Sequence, residues 1–196
     1  DYDNNGFDDI FLANYDETGT NKLFKNLSSS NYSQVTGTPP VTNVSSAVTS
    51  SWADYDNDGK IDLYVANNKD QKNLLFRNVG SNSFTQIQND PIVNDKGYSH
   101  GATWGDYDND GFVDMFVSDY FPTRFNTLYR NNGDGTFSKV SDSPPAQEAS
   151  YSIGSSWADI DNDGDLDLFV INYDNRKNSL YINNGDASFT KVTNSG

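Results

Sequence analysis

Four short stretches place carboxylates at alternating positions. They read DYDNNGFDD (1–9), DYDNDGKID (54–62), DYDNDGFVD (106–114) and DIDNDGDLD (159–167). In the last three, Asp stands at positions 1, 3, 5 and 9 and Gly at position 6. The first has Asn5 at the fifth position. Alternate spacing turns the short side chains toward one centre, and the glycine permits a backbone reversal that a Cβ resists. The reversal leaves the carbonyl at position 7 free to point inward, and the ninth Asp closes the cage with two oxygens. Roughly six or seven oxygen ligands suit Ca²⁺, whereas Mg²⁺ demands a smaller octahedral shell. Zn²⁺ finds no Cys and a single His. The expected ligands are Asp1, Asp3, Asn5, Phe7 (carbonyl) and Asp9; Asp54, Asp56, Asp58, Lys60 (carbonyl) and Asp62; Asp106, Asp108, Asp110, Phe112 (carbonyl) and Asp114; and Asp159, Asp161, Asp163, Asp165 (carbonyl) and Asp167. That amounts to about four Ca²⁺ ions, one per loop.

Other uses of these residues fit less well. An EF-hand opens in the same way but ends on Glu at position 12. Here Val65, Val117 or Val170 stands at that place, inside a strand-like run. An Asx-rich turn without an ion would leave clustered carboxylates repelling one another. A glycosidase acid–base pair occurs once, whereas this pattern occurs in every repeat.

The elements that carry the loops repeat with them. Asp1, Asp54, Asp106 and Asp159 lie 53, 52 and 53 residues apart. Asn26, Asn78, Asn131 and Asn183 keep the same beat, as do Trp52, Trp104 and Trp157. Within a repeat the segments are short, rich in β-branched and aromatic residues, and bounded by Gly, Asn or Asp, as in IDLYVAN (61–67), NLLFRN (73–78) and SFTQI (83–87). NNGDGT is a hairpin signal. The expectation is an all-β fold of β-propeller-type blades with four antiparallel strands each. A β-solenoid uses shorter coils. The four repeats run approximately 1–49, 50–101, 102–154 and 155–196 as a single array. The first lacks the strand that should precede Asp1, leaving fifteen strands, and the chain is expected to be part of a longer or assembled propeller.

Composition narrows the function. The 196 residues carry a formal net charge of −15. An acidic chain lacks the basic face that nucleic acid requires, and no run is long and apolar enough to span a membrane. Of the 28 acidic residues only Glu17 and Glu148 are glutamates, and fifteen of the remaining aspartates stand at positions 1, 3, 5 and 9 of the four loops. Without Cys there are no disulfides. At roughly millimolar extracellular calcium, loops binding at about 10⁻⁴–10⁻³ M each contribute about 0.5–1.5 kcal/mol. Calcium would take the place of disulfides as the staple.

WADYDNDGKIDLYVAN, WGDYDNDGFVDMFVSD and WADIDNDGDLDLFVIN, together with NNGDGTF, resemble the FG-GAP/VCBS-type calcium-binding repeats, the blades also seen in integrin α-chain propellers. The resemblance spans essentially the whole chain. It implies a propeller fold and makes the D-x-D-x-D-G-x-x-D carboxylates the calcium ligands. The first loop departs at Asn5. The resemblance implies an extracellular or cell-surface module for structure, adhesion or assembly. The alternatives are a lectin-like carbohydrate-binding module and the non-catalytic propeller part of a secreted enzyme. Its partners would be protein or glycan at the cell surface or extracellular matrix, or further copies joined through unpaired blade edges.

Nothing repeated or clustered supplies a nucleophile–base pair, so no enzymatic activity is expected. His100 occupies a slot that holds Val48 and Ile153 in sister repeats, which marks it as structural. Asn14, Asn67, Asp119 and Asn172 end a strand on one rim, with Tyr15, Tyr120 and Tyr173 following in three repeats. They can cap the blade seams or stack on a sugar, and the seam role is favoured. The tryptophans are expected in the blade core. Asn26, Asn31 and Asn43 head N-x-[S/T] triplets, which matter only where the source glycosylates.

Overall fold

The computed structural model describes residues 1–193. The first blade is a three-stranded antiparallel sheet of β1 (Ile10–Leu12), β2 (Lys22–Ser28) and β3 (Asn31–Val35). A helical turn α1 (Pro39–Thr42) leads to the second, in which β4 (Ala47–Ala53), β5 (Asp62–Asn67), β7 (Leu74–Gly80) and β8 (Ser83–Gln86) pair in that order. Two short segments, β6 (Gln71–Lys72) and β9 (Lys96–Gly97), form a separate ladder, with α2 (Pro91–Asn94) between β8 and β9. The third blade is β10 (Ser99–Gly105), β11 (Asp114–Phe125), β12 (Thr127–Asn131) and β13 (Phe137–Val140). After a 3₁₀ turn at Pro144–Gln147, β14 (Ala149–Ala158), β15 (Asp167–Asn172), β16 (Ser179–Asn183) and β17 (Phe189–Lys191) form the fourth. The expected blade plan is therefore present, with the first blade one strand short. Blades three and four also share a ladder, pairing Tyr120 with Tyr151 and Phe125 with Ala149.

The apolar cores lie in the seams between blades. β5 is buried at every residue, and strand alternation sends its neighbours to opposite sides. Leu63 and Val65 pack toward the first blade, whereas Tyr64 and Ala66 pack toward the third. β11 repeats the arrangement, with Met115 and Val117 in one seam and Phe116 in the next. At the two outer faces the same register leaves Ile10, Leu12, Phe169 and Ile171 exposed.

Each tryptophan anchors a seam as one member of an aromatic triad. Trp104 lies 6.4 Å from Tyr55 and 6.1 Å from Phe137. Trp157 repeats this with Tyr107 and Phe189, and Trp52 with Tyr2 and Phe84. The tyrosine of each triad is position 2 of an Asp loop, and the tryptophan belongs to the following blade. Such pairs contribute about 0.5–1.5 kcal/mol beyond their buried area. α1 and α2 begin on prolines whose missing N–H costs nothing there. They plug the seams with Val41, Ile92 and Val93.

Candidate metal centres

The Asp loop joins the first and second strands of blades two to four, leads into β1 in the first blade, and is folded by its own carboxylates. Position 1 accepts two backbone N–H groups. Asp54 takes those of Asp58 (3.0 Å) and Gly59 (2.8 Å), and Asp106 takes those of Asp110 (3.1 Å) and Gly111 (2.9 Å). Asp1 and Asp159 do the same. Position 5 accepts from position 7 in every loop, Asn5 included. Gly59 and Gly111 adopt φ +83° and +90°, the reversal for which the glycine was expected. Position 4 is Asn in all four loops and is also left-handed, with φ between 55° and 63°. Asn tolerates that region better than most side chains.

Four carboxylate triplets result: Asp1, Asp3 and Asp9; Asp54, Asp56 and Asp58; Asp106, Asp108 and Asp114; and Asp159, Asp161 and Asp167. Within each, the ligand-type oxygens lie within 4.8 Å of one another. Asp62, Asp110 and Asp163 are not among them. The ninth Asp has a second task. Asp62 accepts the Asn78 N–H at 2.7 Å on one oxygen and the Tyr55 N–H at 3.2 Å on the other. Asp114 does so with Asn131 and Tyr107, and Asp167 with Asn183 and Ile160. It is thus a strut between the loop and the third strand, and each oxygen keeps one lone pair for a cation. Burial pushes Asp62 and Asp114 up to about 7, against the pull of these N–H donors. An adjacent cation would favour their charged forms.

The third strand brings a cation to three loops. Arg77 Nε lies 2.5 Å from Asp56, and its Nη2 lies 3.1 Å from Asp58. Arg130 holds Asp108 and Asp110 at 2.5 and 3.0 Å, and Lys25 pairs with Asp3. The equivalent residue in the fourth repeat is Ile182. Sequence reasoning missed these basic residues, although each precedes the periodic Asn in FKN, FRN and YRN. Even so, Asp3 Oδ1 and Asp56 Oδ1 remain buried without a hydrogen-bond partner. Orphaned carboxylate oxygens within a hard-oxygen set fit a divalent cation.

The loops are also chained to one another. Asn4 Nδ2 donates to the Gly59 carbonyl (3.2 Å), Asn57 to that of Gly111 (3.1 Å), and Asn109 to the Asp165 carboxylate (2.5 Å). The periodic Asn adds a second link. Asn78, Asn131 and Asn183 donate to the position-2 carbonyls of Tyr2, Tyr55 and Tyr107 in the preceding blade, at 2.6–2.8 Å.

An FG-GAP-like repeat model matches residues 1–65, 54–117, 118–170 and 159–196. The chain belongs to the FG-GAP-like repeat family. No curated protein matches it. Among solved structures, the FG-GAP-like chain is similar to an Agrocybe aegerita lectin described as recognising non-reducing terminal N-acetylglucosamine. The TM-score is 0.54 at 18% identity, over 95% of this chain and 52% of that one. The chain thus spans about half the length of this structural neighbour. The likeness establishes a β-propeller-like fold.

The residues at the opposite ends of the second strands form an aromatic rim. Tyr120 stacks on His100 at 4.4 Å and meets Tyr151 and Tyr173 at 5.3 and 5.8 Å. His100 Nε2 lies 2.6 Å from Asn68 Nδ2, an amide nitrogen that can only donate, and burial lowers the pKa of the ring. Tyr15 stands apart beneath Lys69. Among the described residues no helix is long and apolar enough to cross a membrane.

Proposed function

We propose that this FG-GAP-like chain is a calcium-loaded propeller module that acts outside the cell as a scaffold for adhesion or assembly, without catalysis of its own. The observation that carries this reading is that every Asp loop gathers a carboxylate triplet, built on positions 1 and 3 with position 9 in three loops and position 5 in the second. Bound Ca²⁺ would supply charge compensation. The chain's own residues would do the rest. Positions 1, 3 and 5 shape the loop, the ninth Asp ties it to the third strand, and position 2 carries it into the next seam. Ordering a loop therefore orders a blade interface. Thermal unfolding with EDTA and with millimolar Ca²⁺ tests the reading. A lower melting temperature in EDTA, restored by Ca²⁺, is expected. Identical melts would overturn it.

A second reading, carbohydrate binding, draws on the rim of His100, Tyr120, Tyr151 and Tyr173 and on the printed description of the lectin neighbour. Exposed aromatic faces are natural platforms for sugar rings. A glycan array on the calcium-loaded chain tests it, and silence across the array would remove it.

A further inference from the structure

The four Asp loops are not equally balanced in charge. At its odd positions the first carries three carboxylates (Asp1, Asp3 and Asp9), and the second and third carry four each. The fourth carries five, because Asp165 stands where the others have Phe7, Lys60 and Phe112. The cations run the other way. Lys25 pairs with Asp3 in the first loop. In the second, Arg77 lies on Asp56 and Asp58, and Lys60 Nζ meets Asp58 at 3.1 Å. Arg130 alone serves the third. Ile182 holds the place of Lys25, Arg77 and Arg130, one residue before the periodic Asn183. Among the described residues no lysine or arginine pairs with a carboxylate of the fourth loop.

The hydrogen bonds of the fourth loop match those of its sisters. Asp159 accepts from the N–H groups of Asp163 and Gly164, both at 3.1 Å, and Asp163 accepts from Asp165 at 3.0 Å. Asp167 accepts from Ile160 and Asn183, both at 2.9 Å. Charge, rather than the fold of the loop, sets it apart. The extra acid is also accommodated. Asn109 Nδ2 of the preceding loop donates to Asp165 Oδ1 at 2.5 Å, and Gly185 leaves room where a Cβ would lie 2.8 Å from its Oδ2.

We infer that the fourth loop is the high-affinity calcium site of the chain, and that Lys25, Arg77 and Arg130 set the other three lower, so that the blades load in order with the fourth first. Calcium affinity in an oxygen cage rises with the charge of its ligands. In the first two loops the basic side chain occupies Oδ2 of the position-3 Asp, while Asp3 Oδ1 and Asp56 Oδ1 are buried without a hydrogen-bond partner. Those oxygens remain for a cation, but the ammonium or guanidinium on the same carboxylate lies within a few ångströms of it, and like charges repel. Without metal, the same side chains keep the first three loops neutralised. The carboxylates of the fourth then have only one another, and Asp159 and Asp161 are exposed. The fourth blade is therefore the one whose order depends most on the ion.

This inference rests on the calcium reading, and the test separates the two. The metal-stripped chain is titrated calorimetrically with Ca²⁺. One step tighter than the rest by about tenfold or more is the expected result. Asp159→Asn combined with Asp161→Asn should remove that step, and Ile182→Arg should bring it into line with the others. Arg130→Ile, which copies the fourth blade into the third, should turn one weak step into a second tight one. Steps of equal affinity, a tight step that survives the double variant or Ile182→Arg, or weak steps unchanged by Arg130→Ile would overturn the ordering and leave the calcium reading standing. No binding at millimolar Ca²⁺ would overturn both.

Discussion

Asn131 donates its side-chain Nδ2 to the carbonyl oxygen of Tyr55, 76 residues earlier in the chain, at 2.8 Å. The same Nδ2 reaches the Val113 carbonyl at 3.1 Å, and the Asn131 N–H goes to Asp114. One fully buried side chain thus joins its own blade's loop to the loop of the blade before it. Tyr55 completes the joint by placing its ring against Trp104.

Replacing Asn131 by Ala leaves the Tyr55 and Val113 carbonyls in an apolar seam without that donor. The cost is about 1–3 kcal/mol, which lowers the melting temperature by about 2–4 °C per kcal/mol in a chain of this size. Differential scanning calorimetry checks it. A variant that melts with the wild type would show that the seam does not depend on this link.

On the proposed function, Arg130 and calcium would compete to neutralise the same carboxylates. In metal-free buffer Arg130→Gln should melt a few degrees below the wild type, because Asp108 and Asp110 lose the cation that pairs with them. The Arg130 side chain is half exposed, so the effect is modest. Saturating Ca²⁺ should close most of the gap. A gap of equal size with and without Ca²⁺ would show that the two cations do not share the site.

Glu148 gives a pH dependence away from the loops. Burial pushes its carboxyl up, but Lys191, Tyr181 and Ser179 together hold it below the ordinary value. Lys191 Nζ lies 2.7 Å away, and the Ser179 hydroxyl donates at 2.8 Å. A depressed folded-state pKa contributes stability that is present above the ordinary glutamate value, about 4.3, and is lost as pH falls through the folded value. The stability difference between wild type and Glu148→Gln should therefore be largest near pH 7 and shrink below about pH 4. A difference that is constant with pH would exclude this ion pair as its cause.

Much of this was legible because it is local and periodic. The Asp loop, its glycine and the strands around it lie within one repeat, and four copies reinforce each signal. The seams were less legible. That Tyr55 packs on Trp104, or that Asn131 reaches Tyr55, depends on how one blade lies against the next, which no spacing within a repeat encodes. The tryptophans were expected inside blades and stand between them for the same reason. Arg77 and Arg130 were visible as a recurring basic residue, but a lone charge on a strand reads as solvated surface until the loop is seen beside it. Asp119 stood out in the alignment of repeats only as a conservative change from Asn.

The central claim is that each Asp loop holds a divalent cation. Equilibrium dialysis of the metal-stripped chain against ⁴⁵Ca²⁺ at millimolar concentration counts the ions directly. Four carboxylate triplets predict about four per chain, and Asp159→Asn combined with Asp161→Asn should remove one. A count of zero, or a count unchanged by that double variant, would contradict the account.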